Sequence, residues 1–200
     1  MWQAKGKGDG HVGRVPAVGG RSRITGAGLV AGIAVLLSGC GSTSGTSSLT
    51  PDAPSSMTVS SAAFGQGVLP GRYTCHGAKT SPPLNWSGAP SGTKSYAIVV
   101  DDAAAPITPY IYWIVFDIPS ATTDVQDGQL PPGARQADNS TGQTGYAAPC
   151  PDGPGHSYRF TVYALRSTLN LPNGASTLSA WKAIANVSIA RGRIPVRASP

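Results

Sequence analysis

Alternation of apolar and polar positions is clearest between Ser157 and Leu165. There Tyr158, Phe160, Val162 and Ala164 interleave with Ser157, Arg159, Thr161 and Tyr163, the period of two that marks a strand. Ser95 to Asp101 is a second β-prone run. Tyr110 to Ile118 is apolar on nearly both alternating faces, as a central strand would be. Met57 to Phe64 reads as a first strand, and Val68 to Cys75 as a turn followed by an extended piece. In Ser81-Pro82-Pro83-Leu84-Asn85-Trp86 the prolines fix an extended edge and Trp86 brings a large ring to bury. Ser120 to Asn139 reads as loop around Pro131-Pro132-Gly133, and Leu169 to Gly174 as a turn. Helical spacing appears late, in Leu178, Trp181, Ala185 and Ile189 behind a cap at Ser176.

Composition sharpens this into a mainly β chain. Of 200 residues, 26 are Gly and 18 are Pro, only 12% are charged, and every acidic residue is Asp. The net charge of +6 would suit a nucleic-acid partner, but its location argues against one. Lys5, Lys7, Arg14, Arg21 and Arg23 face only Asp9 within residues 1–39, so most of the basicity belongs to a targeting segment. Arg21 and Arg23 precede an apolar run from Ile24 to Leu37 that ends Leu37-Ser38-Gly39-Cys40, too short to span a bilayer. This segment resembles a bacterial lipoprotein signal. The resemblance implies cleavage before Cys40, diacylglycerol on its sulfur, and a protein held at the extracytoplasmic face of the cell membrane. An ordinary signal peptide or a short membrane anchor is the alternative. Gly41 to Pro54 is small and polar, and cannot bury a core. The expected organisation is a signal over 1–39, a lipidated flexible tether over 40–56 and a folded domain over 57–200.

The chemistry concentrates between Gly145 and Leu165. Pro149, Pro151, Pro154, Gly153 and Gly155 forbid helix and central strand, which makes a tight, rigid loop before the last strand described. His156 and Tyr158, two apart, point to one face at the mouth of that strand. An imidazole and a phenol delivered together fit a small-molecule site; a core tyrosine beside a satisfied loop histidine is the other reading. Enzymatic signatures are missing: the sequence has no G-x-S-x-G, no H-E-x-x-H and no paired C-x-x-C. A Cys150/His156 nucleophilic pair is conceivable, but a disulfide is the better use of Cys150. The expectation is a binding module, not an enzyme, with neither metal nor cofactor.

Three separated motifs carry a wider resemblance. Tyr146-Ala147-Ala148-Pro149-Cys150-Pro151 with His156 and Tyr158 resembles the second signature of the phosphatidylethanolamine-binding proteins, roughly Y-x-G-P-x-P-P-x-G-x-H-x-Y. Ser81 to Trp86 matches S-P-P-L-x-W. Asp101 to Pro106 with Tyr112-Trp113 stands where the first signature, D-P-D-A-P followed by H-W, is expected. The chain is thus similar to that family, in its bacterial Raf-kinase-inhibitor-like branch, over about Met57 to Val196. The resemblance implies a β-sandwich with a large central antiparallel sheet and a few peripheral helices. It also implies a pocket formed by Asp102, Tyr112, Pro149, His156 and Tyr158 that takes a small anion or a phospholipid head group. Ala104 replaces the second signature aspartate, Tyr112 the histidine, and Ala148 a glycine. Hydroxyl and imidazole N–H groups donate to phosphate oxygens, whereas ionised Asp102 can only orient an imidazole or receive an ammonium. A pocket kept for packing is one alternative; inhibition of an extracellular protease or another protein partner through surface loops is a second. With Cys40 acylated in an exported protein, two thiols remain, Cys75 and Cys150. Even number and oxidising compartment favour a disulfide between them over two buried free thiols.

Overall fold

The computed structural model describes residues 51–102, 109–151 and 155–198. Cys40, Ala104 and the signal segment lie outside them. Nine strands are described: β1 (Thr58–Ser60), β2 (Val68–Leu69), β3 (Leu84–Ser87), β4 (Ser95–Asp102), β5 (Tyr110–Pro119), β6 (Asp124–Val125), β7 (Arg135–Gln136), β8 (Ser157–Leu165) and β9 (Ser188–Ala198). A single α-helix, α1 (Thr177–Val187), joins β8 to β9. The large sheet runs β2-β9-β8-β4-β5-β7 and is antiparallel except for the β2–β9 pair. A small antiparallel sheet, β1-β3-β6, forms a second layer.

Two apolar layers follow from the pleat. Tyr96, Ile98 and Val100 of β4, with Tyr158, Phe160 and Val162 of β8, leave the large sheet on one face and pack with Met57, Val59, Leu84, Trp86 and Val125. Ala97 and Val99, with Tyr163 and Leu165, leave on the other face and are covered by Ala180, Trp181 and Ile184 of α1. All eight residues of β4 are buried, so this strand has no solvent face at all.

Several local expectations need correction. The helix ends at Val187, and Ile189 belongs to β9. Its buried face is Ala180, Trp181 and Ile184, while Leu178 is 56% exposed and Ala185 is also exposed. The Ser176 cap is as read: its hydroxyl accepts from the Ser179 amide at 3.3 Å. β9 escaped notice because Arg191, Arg193 and Arg197 interrupt its apolar residues, and Gly192 and Pro195 are weak strand formers. The 120–139 segment carries the two short strands β6 and β7, each held by a longer neighbour rather than by its own propensity. The prolines at 82 and 83 precede β3, which is the middle strand of the small sheet, not an edge.

Folded structure also starts earlier than Met57. Pro51 and Ala53 are buried against β9. The backbone N–H of Arg191 donates to Pro54 O at 2.8 Å, and Met57 N–H donates to Arg191 O at 3.1 Å. Residues 51–56, the far end of the expected flexible tether, are therefore docked. Gly192 makes that docking possible, since a Cβ there would sit 2.6 Å from Met57 O and 2.8 Å from Val59 Cγ2. Gly192→Ala should force β1 off β9 and lower stability by roughly 1–3 kcal/mol, the usual cost of overpacking. Chemical unfolding of the two forms measures it, and an unchanged midpoint would contradict the close approach.

Candidate functional site

One end of the large sheet gathers the expected pocket residues. Asp102 closes β4, and its register partner on β8 is Tyr158. His156 immediately precedes β8, and its Nδ1 lies 3.1 Å from Asp102 Oδ2. Asp102 is buried and Tyr158 has no exposed surface. The rings of His156 and Tyr158 are near parallel with centroids 6.1 Å apart, and Tyr112 meets Tyr158 edge-on at 5.4 Å.

Tyr112 reaches this face through a bulge. Val100 pairs with Trp113 while Asp101 pairs with Ile111, so Tyr112 is an extra residue on β5. Strict alternation would have sent Tyr112 and Trp113 to opposite faces; the bulge turns both toward the same core. Tyr110 then packs on Tyr112 at 4.9 Å and stays 39% exposed. Three tyrosines and a histidine thus line up from the sheet interior toward solvent.

The loop before β8 is fastened at several points. Ala147 N–H donates to Tyr112 O at 2.8 Å, and Cys75 N–H donates to Pro149 O at 2.9 Å. A disulfide joins Cys75 to Cys150, 75 residues apart. The Tyr146 hydroxyl donates to Tyr73 O at 2.9 Å, and its ring meets Trp113 edge-on at 5.7 Å. Burial pushes the Tyr146 phenol far above its ordinary range, and the neighbouring phenols of Tyr158, Tyr112 and Tyr73 add to the effect. Its hydroxyl is a permanent donor. Trp113, fixed by a 2.6 Å bond from Nε1 to Gln136 Oε1, also walls a separate cleft of about 290 Å³ with Gln136, Gly145, Tyr146, Thr80 and Lys79.

On the opposite face of the same strand end lies a second acid. Asp101 is ion-paired to Arg159, whose Nε is 2.9 Å from Asp101 Oδ2. Burial raises the Asp101 carboxyl above its usual range, against the opposing pull of Arg159 and, further off, Arg193. Neither this pair nor Tyr110 stood out in the sequence, and Tyr146 entered only as the first residue of the loop motif. The only signal for the pair was a charge at position 159 on a strand side whose other residues, Ser157, Thr161 and Tyr163, are uncharged.

A family model described as phosphatidylethanolamine-binding protein matches residues 59–198. The chain belongs to that family. A Mycobacterium tuberculosis protein named "Putative lipoprotein LppC" is 38% identical over 180 residues, covering 81% of this chain and 89% of its own. A UPF0098 protein of Methanothermobacter thermautotrophicus is 42% identical over 116 residues, covering 56% and 77%. Among solved structures, Escherichia coli YbcL superimposes with a TM-score of 0.67 at 30% identity, over 73% of this chain and 99% of that one. The Chlamydia trachomatis homologue CT736 gives 0.66 at 30% identity, over 72% and 98%.

The disulfide should matter for this site more than for the remote sheet. Closing a loop of that length restricts the unfolded chain by about 4 kcal/mol in the chain-entropy account. Replacing both Cys75 and Cys150 by Ala should lower the unfolding free energy by up to that amount. It should also raise amide exchange at 147–150 while leaving β4 protected. Equal exchange at 147–150 in both forms would show that the hydrogen bonds alone hold the loop.

Proposed function

We propose that the protein is a lipid-anchored, non-enzymatic binding protein of the extracytoplasmic membrane face, whose sheet-end pocket takes a small anion or a phospholipid head group. The observation that carries this reading is the Asp102–His156 contact at 3.1 Å beside Tyr158 and Tyr112. Asp102 orients the imidazole through Nδ1, so that Nε2 faces the pocket and donates from the charged, imidazolium form, and the Tyr112 hydroxyl stands where the family signature has a second histidine. Phosphate oxygens are natural acceptors for that set, and an ammonium group would find the carboxylate. Pro149 stiffens the wall.

Two facts support binding over catalysis. Cys150 is bonded to Cys75, so no thiolate is left there for His156 to activate. The closest grouping of metal-ligand types among the described residues, Cys75, His76 and Cys150, has the same two sulfurs joined to each other. Membrane attachment is supported by the L-S-G-C segment and by the lipoprotein name of the M. tuberculosis relative. No helix among the described residues is long and apolar enough to cross a membrane.

Two experiments test the proposal. Titration with phosphate and with glycerophosphoethanolamine, followed by NMR, should perturb His156 and Tyr158 at millimolar ligand. Protonation of His156 adds a positive donor, so anion affinity should rise as pH is lowered from 8 to 5.5. His156→Ala should abolish that rise and cost about tenfold at pH 5.5, the worth of one charge-assisted hydrogen bond. Silence of both residues toward both ligands would leave the pocket as packing alone. For the anchor, detergent partitioning should separate the wild type from Cys40→Ala, because acyl chains hold a protein on a membrane and their loss releases it; equal partitioning would refute acylation.

A further inference from the structure

Odd-numbered residues of β9 from Arg191 to Arg197 leave the sheet on the side away from the pocket. Arg191 lies opposite Tyr163, Arg193 opposite Thr161, Pro195 opposite Arg159 and Arg197 opposite Ser157. Four arginines therefore share one sheet face with a single buried acid, Asp101. Arg197 is exposed, and Arg191 and Arg193 are partly so. Among the described residues no carboxylate forms an ion pair with Arg191, Arg193 or Arg197. Arg193 Nε instead donates to Thr161 Oγ1 at 2.8 Å. Helix α1 covers only the other end of this face, over Tyr163 and Leu165.

The chain that comes from Cys40 arrives at this same face. Arg191 Nη1 donates to Pro51 O at 2.9 Å and Nε donates to Ser55 Oγ at 3.2 Å. The strand edge at Arg191 pairs with residues 54 and 57, so the segment crosses there from the arginine side into the main core. Ten residues lie between Cys40 and Pro51, a path of eleven Cα-to-Cα steps. A chain of that length cannot span more than about 40 Å.

We infer that the β8–β9 arginine face is a membrane-docking surface that seats the domain on anionic phospholipid, with the docked 51–55 segment setting its orientation. The inference rests on the Cys40 anchor proposed above. Charge complementarity supplies the attraction, and a short tether supplies a millimolar effective concentration, so that a weak surface contact is populated. Asp102, Tyr158 and the rest of the pocket lie on the opposite sheet face, clear of the docked surface.

The test uses residues 40–200 with Cys40→Ser, which keeps every described contact and removes any acyl chain. Binding to vesicles of phosphatidylcholine with 30% phosphatidylglycerol is compared with binding to phosphatidylcholine alone, at low and at moderate salt and up to millimolar lipid, which matches the concentration that the tether would supply. The expected result is binding to the anionic vesicles only, lost as salt screens it. Each arginine at an anionic surface is worth about fivefold, so Arg193→Gln with Arg197→Gln should weaken binding on the order of twentyfold. The Lys pair at those positions should retain most of it, and Lys94→Gln should change little. Arg197→Glu alone, at an exposed site, covers the case in which the Arg193 variant misfolds. Absence of binding to the anionic vesicles, or equal binding by wild type and Arg197→Glu, would overturn the surface. Mass measurement of Cys40 in membrane-extracted protein reports the anchor separately, so failure of acylation and failure of the arginine face are told apart.

Discussion

The register between β4 and β8 governs most of what this molecule can do. β4 is buried along its whole length yet ends in two adjacent aspartates, which the pleat sends to opposite faces. A buried carboxylate is costly unless something answers it. β8 supplies both answers from its first turn of pleat: Arg159 opposite Asp101 on one side, and Tyr158 with the preceding His156 beside Asp102 on the other. A slip of one residue would put Arg159 against the apolar core and Tyr158 against the arginine face, so the alternative pairings are strongly disfavoured. The same register that satisfies the core thereby assembles the pocket.

The departures from the family signature acquire a physical meaning in this frame. The bulge at Tyr112 aims a phenol where an imidazole is expected, next to Tyr158 and capped by the half-exposed Tyr110. A phenol donates one hydrogen bond and carries no positive charge at neutral pH, so this pocket relies on His156 for any cationic character. Its loop wall is held independently by the Cys75–Cys150 bond, the Cys75–Pro149 backbone contact and the Tyr146 hydroxyl. Such redundancy holds the loop in one arrangement, so the proposed binding role would carry little cost for ordering it.

The two faces of the β8–β9 ribbon divide the labour. One carries neutral rings around a single Asp–His pair and lies over the main core. The other carries arginines around a single buried acid and receives the chain that leads back to Cys40. Arg191 joins the two roles, since its backbone pairs with residues 54 and 57 while its guanidinium grips Pro51 and Ser55. The absence of a Cβ at Gly192 is what lets that crossing pass so close to the strand.

Local pattern alone determined three of the four long strands, β4, β5 and β8. Period-two alternation at 157–165, the two-sided apolar run at 110–118 and the β-prone 95–101 all follow from side-chain periodicity, and their bounds differ from the observed strands by a residue or so. Motif spacing likewise named Asp102, His156 and Tyr158, which the fold brings to one sheet end. Tertiary structure decided the rest. β6, β7 and β9 exist because a neighbouring strand offers hydrogen bonds, a contribution no local window contains. The side taken by Tyr112 depends on a bulge that only the pairing with β4 reveals. The helix buries Ala180, Trp181 and Ile184 rather than Leu178 and Ala185 because those three meet Ala97, Val99, Tyr163 and Leu165 of the large sheet, partners that the helix's own periodicity does not reveal. The docking of 51–55 rests on one arginine 140 residues away from Pro51, a separation across which sequence pattern carries no signal.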